Sequence, residues 1–167
     1  MPNNTLLVTQ NDFNTYTQFS MNIDVKWYKS SILVAQQIRF YKCLGNDLID
    51  ELQLQISTNT ITPTNQVLLD MLAPSLVFYT YFEALPFLWV RNENAGLVIN
   101  NPESTQSISK GDMVYLRGNL EVNGDFYKRE LLEYLDQNYT LYPLYPYNDC
   151  SCNNIKKSGG ATGIIFH

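Results

Sequence analysis

The C-terminal tail carries the side chains best suited to binding a metal ion. Cys150 and Cys152 offer two thiolates, and His167 is the single histidine of the chain and its last residue. A structural zinc site takes four ligands at close, paired spacing, whereas these residues supply three at most. We therefore predict no metal site and no cofactor, and we interpret the polar, Gly- and Ser-rich stretch at residues 150–163 as flexible.

A second group with chemical potential consists of the carboxylates Asp47, Asp50 and Glu51. They could act as general acids or bases if they were buried and paired. They also lie at the start of a predicted helix, where the macrodipole favours negative charge, and this role explains them more simply. Since no histidine lies inside the chain, most histidine-dependent chemistry is excluded. The sequence predicts no catalytic residue, and we expect the protein not to be an enzyme.

Two further patterns bear on ligand binding. The run SGGATG at residues 158–163 has the glycines of a phosphate loop, but no Lys-Ser/Thr pair follows it and no strand precedes it. A flexible linker is favoured there. The 12 tyrosines could form aromatic platforms for a glycan. They fall largely at helical spacing, which favours a core or an interface, so glycan binding is kept as the alternative.

Length and composition predict one globular domain. Its helices must position the residues named above. The chain has 167 residues, of which 45% are hydrophobic and 16% are charged, and its formal net charge is -5. A chain of this length can bury a core of ordinary size, and its acidic balance disfavours binding to nucleic-acid phosphates. The N-terminus lacks the pattern of a secretory signal, so we expect a reducing, cytoplasmic setting in which Cys43 is a core thiol.

The most apolar region, residues 67–90, is long enough to raise the question of a membrane span. Asp70, Pro74, Glu83 and Pro86 interrupt it, and charges at mid-bilayer are costly. We therefore expect no membrane partner. A nearly all-round apolar helix of this kind is typical of the centre of a bundle or of a contact between subunits.

Hydrophobic periodicity predicts helices in the first half of the chain. A long helix is expected from residue 25 onward, with Asp24 as its N-cap and Gly45 just past its C-terminus. Apolar residues cover two neighbouring faces of this helix, which implies contacts on two sides. Asn46 is expected to cap a following helix that runs to Ile56. Nearer the N-terminus, aromatic residues three apart predict one face of a short helix: Phe13, Tyr16 and Phe19.

The sequence after residue 64 predicts two more helices. The apolar one is expected to end before Pro86, with a kink or a fresh start at Pro74. A turn and a short strand are expected over residues 94–99. The longest helical pattern begins with Ser109 as its N-cap, and Gly124 falls on its apolar stripe. Because glycine weakens a helix, its presence there favours close packing over a break in the helix.

The predicted fold is all-α. It is a helical bundle of about four to five helices with a short β-hairpin or extended loop, over residues 1–147, followed by an extended C-terminal arm over residues 148–167. Residues 139–147 mix aromatic residues with prolines and must lie extended on something. The apolar end of the arm suits a partner, because ordering a polar tether costs entropy that a few side chains barely offset. The candidate partner-binding residues are Tyr142, Pro143, Tyr145, Ile164, Ile165 and Phe166.

Several motifs, taken in order, resemble those of a known family. DVKWYKSSILVAQQ at residues 24–37 and CLGNDL at residues 43–48 resemble the helix-helix signature of tailed-phage head-tail connector proteins, in which an Ile-x-x-Ala-Gln core leads to a Leu-Gly corner. Later segments are similar to the same family in phages of Bacteroidetes, including crAss-like phages. These segments are ALP at 84–86, NAGLV at 94–98, EYLDQN at 133–138 and YPLY at 142–145. The region around Gly118 and Gly124 departs from the uninterrupted helix expected in the family.

The resemblance implies a mostly helical virion protein that assembles in the host cytoplasm as a ring under the portal, commonly of twelve copies. Its partners would be copies of itself, the portal protein and other tail or ring proteins at the head-tail junction. Genomic DNA would pass through the lumen without specific binding, and the subunit would bind no cofactor and catalyse no reaction. The alternative is a small helical binding module that recognises a glycan or a protein partner.

Overall fold

A computed structural model describes residues 5–17, 28–93, 96–99 and 109–147. These residues form five helices, so the expected all-α class is confirmed. The helices are α1 (Gln10–Tyr16), α2 (residues 29–44), α3 (Asn46–Thr58), α4 (Pro63–Trp89) and α5 (Lys110–Gln137), and a 3-10 turn follows at Tyr139–Leu141. Between α4 and α5, β1 (Val90–Glu93) pairs antiparallel with β2 (Gly96–Ile99). Helix α4 is central, since it packs against α1, α2 and α5.

Helix α2 begins later than its apolar pattern predicts. Its first residue is Lys29, after a turn at Tyr28, and the expected cap Asp24 lies outside the described residues. The Tyr28 ring is buried and lies 4.8 Å from the ring of Phe13 on α1. This contact joins the start of α2 to α1, and periodicity along one segment does not predict it.

The middle of α2 is a π-helical segment, Gln36–Tyr41, between α-helical turns at Lys29–Ala35 and Lys42–Leu44. The helix ends at Gly45 as predicted, and Gly45 has a positive φ of 81°. An added Cβ there would lie 3.0 Å from Cδ of Pro146, so both the backbone and the packing require glycine. Cys43 is buried in the core as predicted, but it is disulfide-bonded, so the expected free thiol is wrong.

Helix α3 follows Gly45 directly, so Asn46 is its first residue and not its cap. Its apolar face lies in the core as predicted, through Leu48, Ile49 and Leu52. The helix ends at Asn59, which adopts the left-handed conformation with φ of 55°.

Helix α4 contains two prolines, Pro74 and Pro86, and it runs through both. The expected end before Pro86 is therefore wrong, and Pro74 does not start a new helix. Each proline removes one hydrogen bond of the helix. The stretch Pro63–Leu88 is long and apolar enough to cross a membrane. The core helix of a soluble protein meets the same criterion, and α4 packs in the core.

Helix α5 begins as predicted, because the Ser109 side chain accepts a hydrogen bond from the backbone N–H of Asp112 at 3.2 Å. The helix is continuous through Gly118 and Gly124. At Gly124 an added Cβ would lie 2.8 Å from the ring of Tyr79 on α4. The predicted close packing is therefore confirmed, with an aromatic ring as the neighbour.

Candidate functional site

Two of the predicted partner-binding residues, Tyr142 and Tyr145, attach the segment after α5 to the helical core. Their exposed fractions are 2% and 5%. The Tyr142 hydroxyl donates to the carbonyl of Thr64 at the start of α4, at 3.0 Å, and lies 3.2 Å from the hydroxyl of Tyr134. The Tyr145 hydroxyl donates to Oδ1 of Asp136 at 3.0 Å. Burial raises the pKa of Tyr142, with the Tyr134 hydroxyl as a second cause.

The same segment also presents a solvent-facing side. Pro143 is exposed, and the rings of Tyr139 and Tyr147 stack at 4.6 Å between centroids with much of their surface in solvent. Leu141 and Leu144 are exposed beside them in the sequence. The remaining predicted contact residues, at 164–166, lie outside the described residues. Which residues of this segment bind a partner stays a prediction.

A second exposed apolar feature lies on α5 and was missed by the sequence analysis, which followed the buried stripe. Tyr115, Val122 and Phe126 are 70%, 66% and 49% exposed. They are seven and four residues apart, so they share one face of the helix. This face is opposite the one that holds Gly124 and Leu131 in the core. We call these three residues the α5 stripe. A search for a second apolar periodicity in the same helix would find them.

Helix α2 carries a smaller exposed apolar pair. Val34 and Ile38 are four residues apart, and Ile38 is 62% exposed. The wide apolar arc of this helix predicts contacts on two sides. One side, through Ile32 and Ala35, is buried within the chain. Val34 and Ile38, called here the α2 pair, face solvent.

A cluster of charged and aromatic side chains connects α2, α4 and α5. A terminal nitrogen of Arg39 on α2 lies 3.0 Å from Oε1 of Glu121 on α5 and 3.9 Å from Oε1 of Glu83 on α4. The Arg39 guanidinium carbon is 4.7 Å from the centre of the Tyr79 ring. The Tyr79 hydroxyl donates to Asp125. One arginine thus contacts carboxylates from both neighbouring helices, and the cluster braces the helices against one another.

Burial is the largest cause of the pKa shifts of Tyr79 and Lys128 in and beside this cluster. It raises the pKa of Tyr79, and the hydrogen bond that Tyr79 donates to the carboxylate of Asp125 adds to the effect. Burial also lowers the pKa of Lys128, which lies 6.0 Å from the ring centre of Phe40. Both effects favour the neutral form of a buried group.

The residues considered for catalysis and metal binding lie apart from these features. Asp47 and Asp50 are exposed on α3, and Glu51 accepts a hydrogen bond from the Gln55 amide at 2.6 Å. Within residues 5–17, 28–93, 96–99 and 109–147, no group of three His, Cys, Asp or Glu side chains is placed to hold a metal ion. Residues 150–167, with the candidate zinc ligands and the glycine-rich run, lie outside that part of the chain.

The described residues therefore define a protein of the all-α class with apolar side chains exposed on several helices, among them α2 and α5, and after α5. The chain belongs to a family of unknown function, DUF6712, whose model matches residues 40–155, well over half of its length. The matched region takes in α3, α4, α5 and the segment after α5. No curated protein matches the chain, and no solved structure does.

Proposed function

We propose that this chain is a structural protein of a phage virion, a head-tail connector subunit whose copies form a ring between portal and tail. The observation that supports this most directly is the α5 stripe. Large apolar side chains spaced along one helix face, and left in solvent by the fold of a single chain, are typical of a protein–protein contact. The motif resemblance specifies which kind of assembly this contact would build.

A closed ring needs two different surfaces on each subunit, because a heterologous contact joins unlike patches. The α5 stripe offers one such surface. The α2 pair, Val34 and Ile38, offers another on a different helix. We propose that these two surfaces meet between neighbouring copies, of which the resemblance implies twelve.

The charge of the chain suits a DNA channel. Non-specific DNA binding depends on Lys and Arg that neutralise phosphates, and here 11 basic residues stand against 16 acidic ones. A ring of such subunits would let genomic DNA pass through its lumen without holding it. In this proposal the subunit has no catalytic role, binds no cofactor and contacts no membrane.

Two finer features belong to the same proposal. We assign residues 148–167 to an arm that docks on a neighbouring subunit, the portal or a tail component through Ile164, Ile165 and Phe166. The subunit would assemble in the host cytoplasm and reside at the head-tail junction of the virion.

Light scattering on a size-exclusion column, with negative-stain imaging of the chain alone and with a portal protein, tests this function. We expect rings or portal-bound complexes. Replacing Val122→Glu should abolish them, because it places a charge in the α5 stripe. The matched control is Leu54→Glu, since Leu54 is exposed on α3 and belongs to neither surface. A persistent monomer that never joins the portal, or equal effects of both variants, would contradict the proposal.

One observation favours the alternative, a helical module that recognises a glycan or a protein partner. Tyr139 and Tyr147 form an exposed, stacked aromatic pair, and exposed aromatic rings are common platforms for ligands with apolar faces. A glycan array would distinguish the two functions. Saturable binding that Tyr147→Ala removes would favour the module, and the absence of any bound glycan would favour the virion protein.

A further inference from the structure

Cys43, in the last turn of α2, forms a disulfide bond. The chain has two other cysteines, Cys150 and Cys152, and both belong to the C-terminal arm. Within one chain the partner of Cys43 is therefore one of these two, called here the tail cysteines. The bond then connects the helical core to the arm, and the other tail cysteine is left as a thiol.

The packing of Pro146 places the start of the arm within reach of Cys43. A Cβ added at Gly45 would lie 3.0 Å from Cδ of Pro146. Gly45 follows Cys43 by two residues, so their Cα atoms are at most about 7 Å apart. Cys150 follows Pro146 by four residues, which span at most about 13–14 Å. A disulfide joins Cα atoms about 4.4–6.8 Å apart, so this short connection is long enough for the bond.

The segment that leads to the arm is held on the core by contacts that involve no cysteine. Tyr142 and Tyr145 are buried. Their hydroxyls donate to the carbonyl of Thr64 and to Oδ1 of Asp136, each at 3.0 Å. Opening the disulfide leaves these contacts in place. It therefore removes the covalent constraint on the arm without removing the packing of the segment before it.

The chemistry that opens such a bond is thiol–disulfide exchange with a dithiol, the class of reductant that keeps cytoplasmic thiols reduced. Cys43 is only 2% exposed, so we place the attack at the sulfur of the tail cysteine. A thiolate of the reductant forms a mixed disulfide there, and the Cys43 sulfur leaves and takes up a proton. The second thiol of the reductant then displaces the tail cysteine. Two electrons and two protons pass to the chain, and the reductant becomes a disulfide.

We propose that the disulfide between Cys43 and a tail cysteine is a reducible lock, which fixes the beginning of the C-terminal arm at the corner between α2 and α3. In the oxidised chain the arm starts from a fixed point near Gly45. Reduction by a dithiol frees the arm as far back as Tyr147, while the helical domain stays folded. The inference concerns a single chain, so it holds whether or not copies of the chain assemble as a ring.

Thiol counting by mass spectrometry tests the pairing in the full-length chain, purified in air without reductant. When the chain is unfolded in the presence of an alkylating reagent, one of its three cysteines should be alkylated. Prior treatment with dithiothreitol should raise the number to three. Peptide mapping of the unreduced monomer should find Cys43 joined to a tail cysteine. In the matched variant Cys150→Ser/Cys152→Ser, Cys43 should be alkylated without reductant.

Three alkylated cysteines without reductant would overturn the pairing. A bond between Cys150 and Cys152, or one between the Cys43 residues of two copies, would overturn it equally.

Circular dichroism tests whether the bond acts as a lock on the arm. Helicity at room temperature should be the same before and after dithiothreitol. The melting temperature should fall on reduction, because the bond closes a loop of about 100 residues in the unfolded chain. The variant Cys150→Ser/Cys152→Ser should melt at one temperature with and without dithiothreitol. Loss of helicity on reduction, or a melting temperature that reduction does not change in the unmodified chain, would overturn the lock.

Discussion

Tyr79 is the side chain on which the contact between α4 and α5 depends. It is fully buried, and its ring meets the ring of Phe40 on α2 edge-on at 6.0 Å between centroids. The opposite neighbour is the bare backbone of Gly124, which is also held by a hydrogen bond from the Ser75 hydroxyl to its carbonyl at 2.8 Å. With its hydroxyl bound to Asp125, the ring has little freedom to move aside.

We predict opposite effects from the same substitution at two glycines of α5. Gly124→Ala should lower the free energy of unfolding by about 1–3 kcal/mol, because the new methyl group would overlap the Tyr79 ring. Gly118→Ala should raise it by up to about 1 kcal/mol, because no atom lies within 4 Å of the added Cβ and alanine favours the helix. Urea denaturation of both variants measures the difference. Equal effects would show that Tyr79 does not pack on Gly124.

The buried tyrosines predict a loss of stability in alkaline solution. Burial raises the pKa of Tyr41, Tyr79, Tyr81 and Tyr142 above the ordinary value of 10.0. The folded state therefore retains these protons more strongly than the unfolded state, and the resulting stability is complete below about pH 10 and falls as the pH rises further. Lys128, whose pKa burial lowers from 10.5, acts in the opposite direction but is a single group.

Denaturation between about pH 9 and pH 11 measures this loss, and Tyr79→Phe identifies its main source. The variant should be less stable at neutral pH by about 1–2 kcal/mol, since it lacks the hydrogen bond to Asp125. Its stability should then fall less steeply with pH than that of the unmodified chain. Parallel pH curves for the two proteins would mean that Tyr79 is not the buried group that titrates.

At the scale of elements, local signals in the sequence predicted helix ends well where a cap or a glycine determines them. Ser109 at the start of α5 and Gly45 at the end of α2 act through their own backbone or side chain, so a short window of sequence contains the information. Pro86 predicted the end of α4 wrongly, because the helix continues through it to Trp89. The start of α2 at Lys29 lies next to the contact between Tyr28 and Phe13, and a helical pattern within α2 does not predict that contact.

The candidate contact residues also divide into features that local sequence predicts and features that depend on distant contacts. The sequence predicted that residues 139–147 lie extended on another surface; the contact with another surface is found through Tyr142 and Tyr145, but the segment forms a 3-10 turn at Tyr139–Leu141 and further turns after it, and is not extended. The sequence did not predict that Tyr142 and Tyr145 bind the core of their own domain, which requires knowing that α4 and α5 converge there. The α5 stripe was missed because its polar neighbours hide a second periodicity in the helix.

Two deletions separate the segment after α5 from the arm that follows it. Removing residues 148–167 should leave helicity and melting temperature nearly unchanged while weakening assembly. Removing residues 139–167 should destabilise the fold by several kcal/mol, because Tyr142 and Tyr145 leave the core with their hydrogen bonds. Circular dichroism during heating, with reductant present so that the Cys43 disulfide is not a variable, compares the two. Unfolding of the shorter deletion would mean that the arm packs on its own domain.

At the scale of the whole molecule, the chain combines an apolar core with exposed apolar side chains on several elements. Arg39 pairs with Glu83 and Glu121 on the two neighbouring helices, while the α2 pair and the α5 stripe remain in solvent. Exposed apolar residues also occur on monomers, but a ring subunit requires two unlike surfaces, and the α2 pair and the α5 stripe lie on different helices. This combination is the physical basis of the proposed connector function.

Electron cryo-microscopy of tailed-phage particles purified from cells that produce this chain tests the central claim of the proposal most directly. The account predicts a closed ring of copies at the portal vertex, surrounding the DNA channel, with the α5 stripe buried between neighbours. Particles that lack the chain, or that hold a solitary copy with a substrate bound in a cleft, would contradict it.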